Sequence, residues 1–356
     1  MDTQGDSMNE RLSEKIKVIN ILLAVSIVFL HAKNYVYYSG DDFFYHLSVN
    51  IQDFFIKYVF ACAVPFLFFI SGYLFYYNLK DKSLKDKIQS RVRTLLVPYL
   101  IWNVIATAYF VSMLYIPFLR GKLSIQNISG FSDIIKSVFF FKYNQINWFV
   151  FQLIIYVIMS PGLYYIIKNK ITSFIFIFIL MAACLCKVEF GVFSITSYEP
   201  VLRVDCLLYY MLGAMSGYYL SNIISRKVYE KSHKSVIVSI ILIIVSFMLI
   251  SLPGQRYNFI AYCLQIVSIY QIIKMIDNNR IVNNLMEHID AFFLLQTHYL
   301  VMYPMKKIVA SLFGTSWAIL PGYILCPVIT IWFVYLIGGY MKKKQFRLYK
   351  ILIGGR

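Results

Sequence analysis

Val18-Ile19-Asn20-Ile21-Leu22-Leu23-Ala24-Val25-Ser26-Ile27-Val28-Phe29-Leu30-His31 is an apolar run that closes on an imidazole. At 1.5 Å per residue, His31 stands about 20 Å along a helix counted from Lys17. In a bilayer core about 30 Å thick, that depth is the half remote from Lys17. An ionisable group held there is costly, so it marks a functional position. Lys17, Asn20, Ala24, Ile27 and His31 follow one another at intervals of three or four residues and share one helix face. A polar foot, a small apolar middle and a histidine near the top describe one wall of a cavity. Two readings of His31 stand side by side. Neutral imidazole is a general base suited to taking a proton from a hydroxyl near pH 7; it is equally a group that hydrogen-bonds a neighbouring helix at the interface.

Working outward, the same apolar character fills the chain. Of its 356 residues, 60% are hydrophobic and only 14% charged, with a mean hydropathy of +0.66. A soluble domain carries about 25% charged residues and cannot hide this much apolar surface. The expected fold class is therefore all-α: a polytopic membrane helix bundle, read as a single domain over 1–356. Ten spans are expected near 18–38, 51–77, 94–117, 147–167, 171–188, 203–222, 235–252, 257–274, 290–312 and 317–340. The ninth is interrupted by Pro304 and Lys306-Lys307. No small-residue cleavage site follows the first run, so it is read as a retained helix and not a signal peptide.

The net charge of +17 suits anionic lipid and membrane topology better than nucleic acid. The basic residues sit in short segments between apolar runs, and no separate basic domain exists. Most of the 34 lysines and arginines fall in alternate segments: before residue 18, at 80–93, 168–170, 226–234 and 274–280, and after 341. The positive-inside rule then places both termini in the cytoplasm. The six cysteines lie in or beside apolar runs, with no CxxC and no neighbouring histidine, and read as small apolar residues; no metal site is expected. The longest connection, about 118–146, is under thirty residues, so any chemistry belongs inside the bundle or at its mouths.

Other residues stand out less sharply. Lys80–Arg93 reads as a solvated inner loop, yet Arg91 and Arg93 precede the third span, where a guanidinium can grip a phosphate. Ser71-Gly72-Tyr73 reads first as close helix packing. Trp148 opens the fourth span, as an interfacial aromatic does. Gln296-Thr297-His298 is a second polar cluster within a span, and His298 is either a site residue or an inter-helix hydrogen bond. Arg203 and Asp205 follow Pro200 at the start of the sixth span and read as interface markers.

These pieces, in this order, resemble acyltransferase family 3, the bacterial integral-membrane acyltransferases that modify surface polysaccharides and other extracytoplasmic acceptors. The resemblance covers about Lys15 to Tyr340. Val64-Pro65-Phe66-Leu67-Phe68-Phe69-Ile70-Ser71-Gly72-Tyr73-Leu74-Phe75 resembles the family's apolar run into S-G-Y/F. Arg91-Val92-Arg93-Thr94-Leu95-Leu96-Val97-Pro98-Tyr99 resembles its basic-leucine-proline-tyrosine opening of the third span. Asn147-Trp148-Phe149, Leu212-Gly213 and Leu295-Gln296-Thr297-His298 resemble its later motifs. Two positions depart. Asn20 stands where the family carries a cation eleven residues before its first histidine, and Thr94 stands where its R-x-x-R has a second arginine.

The resemblance implies an O-acyltransferase, most simply O-acetyl, in the bacterial cytoplasmic (inner) membrane. Acetyl-CoA or another acyl-CoA would be the donor. The acceptor would be a hydroxyl of a surface polysaccharide or its lipid-linked precursor. His31 would be catalytic, Arg91, Arg93 and Lys17 would hold the donor, with Lys17 replacing the cation missing at Asn20, and Ser71, Tyr73, Trp148 and His298 would contact substrate. Membrane lipid is the implied surrounding, and the oligomeric state is left open. The departures at Asn20 and Thr94 keep a second expectation: an exporter of polysaccharide or lipid-linked sugar on the same fold.

Overall fold

Lys17 lies midway along the first helix and His31 just past its end, and the rest of the chain is arranged around the face between them. In a computed structural model, residues 3–355 are described apart from 78, 80–82, 114, 117–129, 188–201, 228–231, 277–283 and 285–286. The basic positions at 80 and 82, the first part of the long connection (118–129), and Pro200 therefore lie outside the described residues. Helix α1 is Thr3–Leu30. It stops one residue before His31, whose N–H still donates to the Ile27 carbonyl at 3.1 Å. His31 thus sits at the helix terminus and not within an unbroken span reaching residue 38, because the chain turns there into a short 3-10 turn, Tyr35–Tyr37.

Next come α2 (Phe43–Phe54) and α3 (Ala63–Tyr76), joined by a π-helical turn over Phe55–Phe60. Asp42 caps α2. The Ser316 hydroxyl and the Tyr45 N–H both donate to its carboxylate, which holds it below the usual carboxylate range. Helix α4 (Leu84–Arg91) runs through a second π turn, Val92–Leu96, into α5 (Val97–Met113). The basic run is therefore not a plain solvated loop. Ser83 caps α4, and Lys87 folds back to donate to the Tyr77 carbonyl at 2.8 Å, where the negative end of α3 favours a cation.

Helix α6 (Phe131–Phe139) lies within the long connection, and α7 (Trp148–Ile167) starts on the expected tryptophan. Then follow α8 (Lys170–Leu185), α9 (Val204–Tyr219), α10 (Ser221–Lys227), α11 (His233–Ser251) and α12 (Asn258–Met275). The chain ends with α13 (Ala291–Phe313), α14 (Ile319–Lys344) and α15 (Phe346–Leu352). Helix α13 passes through Pro304 without a break and keeps Lys306 inside the bundle, where backbone carbonyls take its ammonium.

The described residues form no sheet. Seven helical segments are long and apolar enough to cross a membrane: Glu10–Tyr37, Phe43–Tyr76, Leu84–Met113, Gln145–Ile167, His233–Ser251, Asn258–Met275 and Ser316–Lys344. Lys170–Leu185 is apolar but shorter. Two further expected spans fall outside the seven for physical reasons. Helix α9 has only 16 residues, and α13 carries Gln296, Thr297, His298, Lys306 and Lys307. The outward faces of α8, α11 and α14 are rows of Ile, Val, Leu and Phe, among them Phe178, Ile241 and Val328, which only lipid solvates without penalty.

Packing at the centre rests on missing side chains. Helices α3 and α9 approach until a Cβ at Gly72 would strike the Tyr210 carbonyl, one at Gly213 the Phe69 carbonyl and one at Gly217 the Tyr73 carbonyl. This pair stands beside α1 and fixes one side of the space that α1 faces. One buried apolar cluster then runs from Val18 to Ile353.

Candidate functional site

Two imidazoles meet where α1 ends. Asp290 caps α13 by accepting from the Phe293 N–H at 2.8 Å. Two turns later, His298 is wholly buried, with its ring centroid 5.5 Å from that of His31. His298 Nδ1 lies 3.1 Å from the Leu294 carbonyl. A carbonyl only accepts, so Nδ1 carries the proton and Nε2 is left with its lone pair. That Nε2 has no hydrogen-bond partner among the described residues, nor has the neighbouring Gln296 Oε1. Buried polar atoms are normally paired, so two orphans on residues that line one small cavity point to a place where another molecule's polar groups fit.

The third member of this group was not apparent from sequence. Lys306, two turns beyond His298, donates from Nζ to the carbonyl of His31 at 2.5 Å and to that of Lys33 at 3.0 Å. It closes the carbonyl end of α1 and fixes the backbone that carries His31. In the sequence it reads only as an interruption of an apolar span. A lysine two turns after a buried histidine, in an otherwise apolar helix, is the one signal that could have singled it out.

Four cavities follow one another along the α1 face. The first, about 480 Å³, opens around His31, Lys33, Tyr37, Lys142, Trp148 and Tyr299. It narrows to a neck of about 40 Å³ between His31, His298, Gln296 and Trp148. Beyond the neck lies a space of about 310 Å³ lined by Asn20, Ser71, Arg91, Tyr210, Phe292 and Leu295. The fourth, about 520 Å³, opens at the other end among Lys17, Asn20, Asp290, Lys342, Tyr349 and Lys350. Neighbours share walls: His31 and Trp148 bound the first and the neck, Leu67 and Leu295 the neck and the third, Asn20 and Phe292 the third and fourth. The row thus extends along α1 from one end of the bundle to the other.

Most of the residues singled out from sequence converge on this row. His31, His298 and Trp148 meet at the neck, Ser71 and Arg91 line the third cavity, and Lys17 lines the fourth. Lys17, Asn20, Ile27 and His31 all face the row, whereas Ala24 is packed away in the core. Arg91 has no ion pair among the described residues. Trp148 is held by more than an interface: the Arg203 guanidinium lies 4.8 Å over its ring and is itself paired with Asp205 at 2.8 Å.

Two expected residues are not brought there. Tyr73 packs with Leu12 in a separate small cluster on the far side of α3, because the helix turn that aims Ser71 at the row aims Tyr73 away from it. Arg93 is exposed and lines none of the four cavities; two residues after Arg91, it faces elsewhere. The six cysteines form no disulfide among the described residues, and no group of three metal-binding side chains occurs among them.

Among protein-family models, one described as an acyltransferase domain, family 3, matches residues 14–346. No curated protein and no solved structure matches the chain.

Proposed function

The chain belongs to acyltransferase family 3, and from that premise we propose that it is a bacterial inner-membrane O-acetyltransferase. It takes the acyl group from cytosolic acetyl-CoA or another acyl-CoA and delivers it to a hydroxyl of a surface polysaccharide or its lipid-linked precursor. The observation that carries this reading is the row of cavities that spans the bundle and narrows at two facing imidazoles.

The proposed topology has ten crossings: α1, α2 with α3, α4 with α5, α7, α8, α9, α11, α12, α13 and α14. An even number returns the chain to its starting side. Lys17, Lys87, Lys168, Lys342 and Lys350 lie towards that side, so it is the cytoplasmic one by the positive-inside rule. The fourth cavity is then the donor's mouth and the first is the acceptor's. Aromatic rings at Tyr37, Trp148 and Tyr299 give the acceptor mouth faces on which a sugar can stack.

A thioester supplies an activated acyl group, and the chain's own residues supply proton handling and position. His31 accepts the proton of the acceptor hydroxyl as that oxygen bonds to the acyl carbon. It then returns the proton to the departing thiolate, so charge balances across the neck. His298 Nε2, which carries no proton, accepts from a second hydroxyl of the acceptor and so orients the sugar beside His31. Lys306 acts one step back, by holding the carbonyls that end α1. Trp148 and Phe149 keep water from the neck, which protects the thioester from hydrolysis. Arg91 and Ser71 face the donor's arm in the third cavity.

The exporter reading fares worse against the same geometry. A neck of about 40 Å³ holds less space than a sugar ring occupies. The test is to delete the gene and weigh the surface polysaccharide by mass spectrometry, complementing with wild type and with His31→Ala. Loss of one acetyl mass per repeat, restored by wild type alone, is the expected result. A polymer that accumulates inside with its acyl groups intact would reverse the assignment in favour of export.

A further inference from the structure

The last helix is docked, not trailing. Trp102 Nε1 donates to the Leu352 carbonyl at 3.0 Å in a buried contact. Tyr349, Leu352 and Ile353 are buried, and the Tyr349 ring lies 5.4 Å from that of Phe293. Two glycines then close the helix. Gly354 and Gly355 both have positive φ, 72° and 70°, and the Gly355 N–H donates back to the Lys350 carbonyl at 2.7 Å. This is the left-handed stop that glycine allows without strain. A Cβ at Gly354 would strike the Thr94 carbonyl. The tail is thus pressed against the π turn that leads into α5, at the residue where the family's pattern has a second arginine.

Held in this way, α15 becomes one wall of the fourth cavity. Three lysines converge on that cavity from three elements: Lys17 from α1, Lys342 from α14 and Lys350 from α15. Lys17 and Lys350 make no hydrogen bond or ion pair among the described residues, while Lys342 donates to the Glu287 carbonyl at 2.7 Å. Two carboxylates also line the space. Asp290 is committed to capping α13, and Glu287 stands exposed at the rim. The cavity, about 520 Å³, adjoins the third through Asn20, Ala291 and Phe292. From Lys17 to His31 is about 21 Å along α1. A bulky anionic head at the mouth would leave a thin arm pointing up the row towards the neck.

We propose that the docked C-terminal helix builds a phosphate-binding site, in which Lys17, Lys342 and Lys350 hold the phosphates of the donor's nucleotide. The site rests on the acyl-CoA reading above and extends it to residues beyond the matched family domain. It also accounts for the two departures from the family's pattern: the cations absent at Asn20 and Thr94 are replaced from α1, α14 and the tail. Arg91, further in, then faces the arm and not the nucleotide.

The test uses the full chain in lipid nanodiscs, with coenzyme A as probe and pantetheine, which lacks the phosphates, as its comparison. The Lys17→Gln/Lys350→Gln double variant should weaken coenzyme A binding about tenfold or more and leave pantetheine unchanged, because each lost charge-assisted bond acts on phosphate alone. Lys343→Gln/Lys344→Gln removes the same charge from positions that line none of the four cavities and should change binding less than about twofold. Should the first variant fail to fold, Lys350→Gln alone and the salt dependence of wild-type binding take its place. Coenzyme A binding equal in wild type and the Lys17/Lys350 variant, or an equal loss in the Lys343/Lys344 control, overturns the site while leaving the donor reading intact. Wild-type protein that binds no coenzyme A overturns the donor reading and this site with it.

Discussion

His298 and Lys306 do different work for the same imidazole, and single substitutions separate them. Replacing His298 by Ala removes the lone pair that faces the neck but leaves His31 and its backbone in place. Transfer should fall about 10²-fold, with the melting temperature in detergent little changed. Lys306→Met instead leaves the half-buried carbonyls of His31 and Lys33 without this donor, at a cost of about 1 kcal/mol or more. That variant should melt earlier and lose activity together with stability. A Lys306→Met protein as stable as wild type would show that the two bonds do not anchor α1. His31→Ala is expected to insert in the membrane normally and transfer nothing. At this scale the sequence was informative where a polar residue interrupts an apolar helix face, as at His31, Asn20 and His298. It was misleading where neighbours on one motif point apart. Ser71 and Tyr73 are two residues apart, and so are Arg91 and Arg93; a helix turns about 200° over that interval.

Among the elements, the α3–α9 pair is the least tolerant. Gly72, Gly213 and Gly217 each face a backbone carbonyl of the opposing helix, so no side chain can move aside to make room. Gly213→Leu should separate the helices and destabilise the protein by about 1–3 kcal/mol or more. A thermal melt in detergent reads this directly. The sequence pointed to close packing at Ser71-Gly72 and to a family motif at Leu212-Gly213, but it did not say that these two motifs pack on each other. The basic run at 80–93 was legible as charge and not as the helix α4, because the bonds that organise it run from Lys87 to the end of α3. The tail was not legible as an element of the site at all. Its seven-residue helix has no periodicity long enough to read, and its position is decided by Trp102, Phe293 and Thr94, which lie far away in sequence.

At the scale of the whole molecule, the row of cavities only works if its two mouths open on opposite sides of the membrane. An alkaline phosphatase reporter, active only after export, should be active when fused after Gly40 and inactive when fused after Lys344. Activity at both sites would overturn the ten-crossing topology and with it the assignment of donor and acceptor mouths. The apolar faces of α8, α11 and α14 predict that the protein aggregates on removal of detergent and recovers in lipid, since these faces are exposed among the described residues.

Composition and periodicity by themselves determined that this chain is an all-helical membrane protein, because so few charged side chains cannot cover so much apolar surface in water. They also determined which face of the first helix is unusual, because the α-helical period alone puts Lys17, Asn20, Ile27 and His31 in one row. The order of short motifs along the chain carried the family. Only the tertiary structure decided that His31 meets His298, that Lys306 closes the end of α1, and that the last helix completes a lysine-lined mouth. Those contacts join residues separated by 267, 275 and up to 333 positions. No local pattern encodes them: each depends on how close the backbones of helices remote in sequence are allowed to come, and in this bundle that is fixed by glycines and by single buried polar side chains.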